Sequence, residues 1–332
     1  MKDIIKSLGQ FFIIGFPDNS PSSEFLNFID EVQPGGVILF ENNCNTYEST
    51  ARNILSIKSR YNEYAPFIAI DQEGGRVCRL RGTPVEYMSP MKYAEHDDFE
   101  KFIEDYSRSI MYMESLGINL NLAPVADVYI NSKNEVLKDR CFGTTPAQVS
   151  LFVEAAIGVA KKSSMLSCLK HFPGLGSVEI DPHKQTSIAD FDKIIWNQRE
   201  KIPFDAGVKK GAEFIMTTHI KLPQIDNEIV TASKKIIDEL IRENLSFDGL
   251  VITDDLCMEG ANEIGDYGER AVKAFNAGHD ILLFGQKFEI AIEAYEHFVN
   301  AVERGEISEQ RLDDALSRIS GTKFKLERSV MN

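Results

Sequence analysis

The sequence predicts an α/β fold, a single (β/α)8 barrel of TIM type, on three observations. Eight short apolar runs recur along the 332 residues. Stretches of helical period lie between them. Several runs are apolar nearly throughout, as strands covered on both faces must be. Strand and helix alternate to the last helix, which favours a closed barrel, with a doubly wound open sheet as the alternative.

The strands are expected at Phe11 to Gly15, Gly36 to Phe40, Phe67 to Asp71, Asn119 to Pro124, Met165 to Lys170, Phe214 to His219, Leu250 to Asp254 and Ile281 to Phe284. Phe25, Phe28, Ile29 and Val32 follow the i, i+3, i+4, i+7 spacing of a helix with one buried face, and Val149, Phe152, Val153 and Ala156 repeat it. Near the end, Ser308 can cap a helix with Glu309 in its first turn and Leu312, Ala315, Leu316 and Ile319 as the buried stripe. Residues from about Lys323 to Asn332 lack an apolar pattern and are expected to fray. No linker, low-complexity tract or change in composition divides the chain, so residues 1–332 read as one domain with no second one.

A composition of 43% hydrophobic and 26% charged residues supports a sizeable core. The formal charge of −15 argues against a general binder of nucleic acid or anionic membrane, because no basic field attracts phosphate. Five scattered cysteines without CxxC spacing read as free thiols in a reducing compartment. With no signal peptide and no apolar run approaching the ~20 residues of a membrane span, the cytoplasm is the expected location. A monomer acting on a small molecule is expected, without metal or cofactor.

In such a barrel the active site lies at the C-terminal strand ends. Those ends carry Asp71, Asp127, Lys170 and His171, His219, and the pair Asp254 and Asp255. Any one is equally explained as a helix cap or a solvated loop charge; their shared position is the signal. Alternation along the seventh strand starts the two carboxylates of Asp254 and Asp255 on opposite faces, so one of them points into the mouth, and pattern alone does not say which. Arg79 and Arg140 lie in the loops after the third and fourth strands, where their planar forks suit carboxylates and vicinal hydroxyls, and a surface salt bridge is the favoured reading of each.

The densest stretch runs from Lys170-His171-Phe172-Pro173-Gly174-Leu175-Gly176 to Asp181-Pro182-His183. Pro182 pushes Asp181 into an extended conformation, in which side chains two apart point the same way. A carboxylate is thereby held beside an imidazole, which it can charge and orient. An ordinary surface loop accounts for the same spacing.

Taken together, Gly35-Gly36-Val37-Ile38-Leu39-Phe40, Ile70-Asp71-Gln72-Glu73-Gly74-Gly75-Arg76-Val77, Leu122-Ala123-Pro124-Val125-Ala126-Asp127-Val128, Arg140-Cys141-Phe142-Gly143, Lys170-His171-Phe172-Pro173-Gly174 and Thr253-Asp254-Asp255-Leu256-Cys257-Met258-Glu259-Gly260 occur in an order that resembles the glycoside hydrolases of family 3. The resemblance is to the single-domain bacterial β-N-acetylglucosaminidases of cell-wall recycling, and runs over nearly the whole chain. It implies Asp254 as nucleophile, His183 as general acid/base with Asp181 as its partner, and Asp71, Arg79, Arg140, Lys170 and His171 as ligands of the sugar next to the cleaved bond. It also matches His219 to a histidine near the site. Two positions depart from it: similar sequences usually read Gly-His-Gly where this one has Gly174-Leu175-Gly176, and Ser where it has Pro182.

The implied reaction is hydrolysis with retention, through a covalent glycosyl-aspartate on Asp254 that His183 then helps water to release. An unperturbed histidine pKa of about 6.5 suits both donating and accepting. Larger family members bring their acid from a second domain, so here a barrel loop is expected to supply it. Histidine, unlike glutamate, does not repel an incoming phosphate, which makes a phosphorylase of the same family an alternative, as is a β-glucosidase. The rivals outside this chemistry are a metal-dependent barrel hydrolase using Asp71, His171, His183, His219 and Asp254, and a sugar-binding protein without turnover.

Overall fold

A computed structural model describes residues 7–62, 64–178, 187–285 and 287–331, with side chains described to residue 326. Eight parallel strands form its centre: β1 (Phe12–Ile14), β2 (Gly36–Leu39), β3 (Phe67–Ile70), β4 (Leu120–Asn121), β5 (Leu166–Phe172), β6 (Phe214–Thr217), β7 (Leu250–Thr253) and β8 (Leu282–Phe284). They pair in sequence order, and β1 pairs with β8 in the register Phe12 to Leu282. The ring closes where Thr253 N–H donates to Ile281 O at 3.1 Å. The chain is therefore a TIM-type (β/α)8 barrel, with every expected strand present.

Strand β4 is shorter than its apolar run. Beyond Asn121 the pairing becomes irregular, and Pro124, which has no N–H, contributes only its carbonyl, accepting from Lys170 N at 3.3 Å. The peptide bonds 123–124, 170–171 and 172–173 are cis.

The helices form where their caps and stripes direct. Ser22 Oγ accepts from Phe25 N at 3.1 Å to start the helix Ser23–Val32, which buries Phe25 and Ile29. Thr145 caps Pro146–Ala160 in the same way, burying Val149, Phe152, Val153 and Ala156. Ser308 Oγ accepts from Arg311 N at 3.2 Å at the head of the last helix.

That last helix corrects the expectation of a frayed end: it runs Glu309–Met331. Lys323 is buried in it, its Nζ donating to Gln10 Oε1 at 2.8 Å and lying 4.9 Å from the Phe67 ring centroid. Phe67 packs edge-on against Phe214 across the barrel at 5.3 Å. The lysine stem thus closes the floor of the barrel, a packing role that a hydrophobicity pattern does not register.

A small three-stranded sheet was not foreseen. Ser187–Ile188 pairs in parallel with Ile220–Leu222, which pairs antiparallel with Asp226–Ile229. Its strands are short and partly exposed, so they lack the apolar runs that mark the barrel.

Candidate active site

At the C-terminal end of the barrel, a cavity of about 270 Å³ is lined by Asp71, Glu73, Arg79, Arg140, Lys170, His171, Asp254 and Asp255, with Phe40, Met216, Met258 and Leu283 among its apolar walls. Six of the eight site residues expected from sequence meet there. The other two, Asp181 and His183, lie outside the described residues, as does Pro182.

Strand β3 delivers Asp71 just past Ile70, and β5 delivers Lys170 and His171 from its buried end. Lys170 Nζ lies 2.6 Å from Asp71 Oδ1 and 2.6 Å from Glu73 Oε1. Arg79 Nη2 reaches Asp71 Oδ2 at 3.2 Å. Arg140 grips Glu73 with two bonds, Nε to Oε2 at 2.7 Å and Nη2 to Oε1 at 2.8 Å. Three cations and two carboxylates therefore form one connected group. Burial works against four of these charges, and the partners win. Lys170 and Arg79 hold the Asp71 carboxyl below its ordinary value despite burial. Burial opposes Glu73 likewise, but Arg140 and Lys170 hold it far below the usual carboxylate range. Against burial, the same carboxylates raise Lys170 and Arg140 above their ordinary values.

The ring of His171 is fixed on both sides. Asp127 Oδ2 lies 2.7 Å from Nδ1 and also accepts the His171 main-chain N–H at 3.1 Å. Carboxylate on one side makes Nδ1 the protonated nitrogen, so Nε2 accepts from Arg140 Nη2 at 3.1 Å. Asp127 Oδ1 accepts the Leu175 N–H at 2.6 Å. One buried carboxylate thus shapes the ring and the loop that follows it.

That loop explains its own glycines. Gly174 has φ +125°, and a Cβ on Gly176 would sit 1.7 Å from Val128 O. Leu175, at the position where a histidine is usual, turns inward at 2% exposure and joins the hydrophobic core, while its carbonyl accepts from Asn134 Nδ2 at 2.9 Å.

Asp254 and Asp255 both line the cavity, and their hydrogen-bond partners differ. Asp254 N–H continues the ladder to Thr217 O at 3.0 Å. The Asp255 carboxylate is engaged by the next turns, accepting at Oδ1 from Cys257 N at 2.9 Å and Gly285 N at 3.0 Å, and burial raises its carboxyl above the ordinary value. Asp255 is a loop carboxylate; Asp254 Oδ1 accepts the Asp255 N–H at 2.8 Å.

Sequence reasoning passed over two residues that hold the site together. Glu73 stood inside a quoted motif without a role, and Asp127 was noted only by position. Their partners lie 67 and 44 residues away, so no local pattern announces the pairing. Among the described residues, no three His, Cys, Asp or Glu side chains are grouped as metal ligands, and no helix is long and apolar enough to cross a membrane.

Residues 4–321 match the model of the glycosyl hydrolase family 3 N-terminal domain. A β-hexosaminidase A of Pseudoalteromonas piscicida is 31% identical over 335 residues, covering 92% of this chain and 56% of its own length. A β-hexosaminidase of Psychromonas ingrahamii is 33% identical over 253 residues, 75% of this chain and 74% of that protein. Among solved structures, a family 3 β-N-acetylglucosaminidase of a Paenibacillus species superposes with a TM-score of 0.92 at 29% identity, covering 97% of this chain and 62% of that one. A β-N-acetylhexosaminidase of Beutenbergia cavernae gives a TM-score of 0.89 at 27% identity, with 96% and 98% covered. The chain spans little more than half the length of the Pseudoalteromonas relative.

Proposed function

The chain belongs to glycosyl hydrolase family 3, and from that premise we propose that it is a retaining β-N-acetylglucosaminidase, releasing terminal β-linked N-acetylglucosamine from cell-wall-derived glycosides in the cytoplasm. The observation that carries the reading is a strand-end carboxylate, Asp254, lining the same small cavity as Asp71, Arg79, Arg140, Lys170 and His171. Those five suit vicinal sugar hydroxyls, because they offer charged donors and acceptors whose positions are already fixed by one another.

In the proposed mechanism Asp254 attacks the anomeric carbon and forms a glycosyl ester as the aglycone oxygen leaves. His183, supported by Asp181, protonates that oxygen and then takes a proton from the water that cleaves the ester. The roles of His183 and Asp181 rest on sequence resemblance alone. The names of the relatives support N-acetylhexosamine as the sugar.

The test is turnover of 4-nitrophenyl β-N-acetylglucosaminide, with and without phosphate, by the wild type, Asp254→Asn and His183→Ala. Nitrophenol release that disappears in Asp254→Asn and falls sharply in His183→Ala supports the assignments, and a glycosyl phosphate product would identify a phosphorylase instead. Absence of turnover on this substrate, the glucoside and a chromogenic disaccharide would overturn the reading in favour of a sugar-binding protein.

A further inference from the structure

His219 follows β6 and is wholly buried, with both ring nitrogens engaged. Nε2 lies 3.1 Å from the main-chain O of Asp255, and Nδ1 lies 2.7 Å from Thr231 Oγ1. A carbonyl oxygen only accepts, so Nε2 carries the ring proton. The neutral ring then offers Nδ1 to the Thr231 hydroxyl. Thr231, itself buried, reaches this point because the hairpin Ile220–Leu222 and Asp226–Ile229 folds the chain back beside the strand end, and the turn Val230–Ala232 follows it. The unforeseen small sheet thus has a consequence at the barrel mouth.

The carbonyl that His219 holds belongs to the turn presenting Asp254. The same carbonyl accepts Met258 N–H at 2.9 Å, and the turn is also held by Leu256 N–H to Leu283 O at 2.9 Å, by the two N–H groups on Asp255 Oδ1, by Asp254 N–H to Thr217 O at 3.0 Å and by Asp255 N–H to Asp254 Oδ1 at 2.8 Å. The last of these sets the rotation of the Asp254 carboxylate. It depends on where the 254–255 peptide lies, and the carbonyl of Asp255 is the next anchor along the chain.

We propose that His219 is a positioning residue for the reaction: as a neutral ring oriented by Thr231, it clamps the Asp255 carbonyl so that the Asp255 N–H keeps the Asp254 carboxylate aimed into the cavity. The inference rests on the reading of Asp254 as nucleophile. With no exposed surface and both nitrogens taken, His219 exchanges no proton with substrate. Burial lowers its pKa while the Asp254 charge pulls it upward, and the net lowering keeps the ring in the form the clamp requires.

The experiment compares His219→Leu, His219→Gln and Thr231→Val with the wild type on 4-nitrophenyl β-N-acetylglucosaminide, each checked by thermal melting, alongside ¹⁵N resonances of the wild-type histidine rings. Glutamine can place an amide N–H near the position of Nε2; leucine cannot. Misplacement of a reacting group by about 1 Å can cost on the order of 10²-fold, so His219→Leu is expected to lose about that in kcat with KM changed less than about threefold. His219→Gln should recover most of the loss, Thr231→Val should fall between, and the His219 ring should be protonated at Nε2. Should the leucine variant not fold, the glutamine and valine variants and the ring tautomer decide. A folded His219→Leu with wild-type kcat, glutamine no better than leucine, or a proton on Nδ1 overturns the clamp while Asp254→Asn still abolishes turnover. Wild-type inactivity or an active Asp254→Asn instead removes the parent reading and this inference with it.

Discussion

Arg140 and Glu73 meet as a two-pronged pair inside the barrel mouth, Nε on Oε2 at 2.7 Å and Nη2 on Oε1 at 2.8 Å, from loops that follow different strands. Removing one partner strands a buried charge. Breaking such a pair costs about 3–5 kcal/mol, because the desolvation of the survivor is no longer offset. Arg140→Met should therefore lower the urea-unfolding free energy by roughly that amount, while the double change Arg140→Met with Glu73→Leu recovers part of it. Urea-unfolding free energies of Arg140→Met, Glu73→Leu and the double variant check this. A double variant that loses as much as the two single variants together would show that the pair contributes nothing as a pair.

The same group sets an acid limit. Glu73 and Asp71 have folded-state pKa values below their ordinary ones. Their contribution to stability is fully present above the unfolded carboxylate values near 4 and is lost as pH falls through the folded values. Glu73→Gln should make the unfolding free energy less dependent on pH below about 4.

His279 acts over a different window. It is fully buried between Thr217 Oγ1, 2.8 Å from Nε2, and Ala274 O, 2.9 Å from Nδ1, and burial lowers its pKa to about 3. Below about pH 6.5 the unfolded chain takes up a proton that the folded chain refuses. Stability should then fall by about 1.4 kcal/mol per pH unit between about 6 and the folded value. His279→Gln should remove that slope, which unfolding curves at pH 7, 6 and 5 will read.

At the opposite end of the barrel from the cavity, Asp280 gathers three arginines. Arg242 lies 2.8 Å from Oδ2, Arg318 3.0 Å from Oδ1 and Arg311 3.7 Å from Oδ1. Its carboxylate also accepts Val251 N at 3.0 Å. Arg311 and Arg318 belong to the last helix, so one buried carboxylate fastens that helix to the barrel. Asp280→Ala should destabilise by about 3–5 kcal/mol and leave kcat of the folded fraction unchanged. An equal fall in kcat would contradict the separation of the two ends.

The barrel was legible because its strands are buried on both faces and so appear as continuous apolar runs. The cavity was legible for a related reason: Asp71, Lys170, His171 and Asp254 are the first ionisable residues after or at the ends of those runs. What escaped has no local signature. Glu73, Asp127 and Asp280 are defined by partners far away in the chain, and Lys323 counts as a charge in sequence although its stem fills the barrel floor. The short strands beside His219 are too exposed to read as strands, yet they carry Thr231 to its ring.

Asp127 offers the sharpest separation of shape from charge at the sugar side of the cavity. Its Oδ2 accepts both the main-chain and the ring N–H of His171, and its Oδ1 accepts Leu175 N–H. Asparagine is nearly the same size but replaces one acceptor by a donor, so one of these two sides must lose its bond. If the amide nitrogen faces His171, the ring gives up Nδ1–H, its tautomer reverses, and Nε2–H then opposes the Arg140 guanidinium at 3.1 Å. If it faces Leu175, a buried main-chain N–H is left without an acceptor, which costs about 1–3 kcal/mol. The first outcome weakens sugar binding and, because the buried His171 main-chain N–H also loses its acceptor, lowers stability as well; the second lowers stability with little change in binding. Because the ring is held by two of the three bonds, asparagine should keep its oxygen toward His171, so Asp127→Asn is expected to lower the melting temperature while leaving KM within a few-fold, whereas Asp127→Ala should raise KM by at least about tenfold. Kinetics and melts on the two variants, read together, decide which side of Asp127 matters to the reaction.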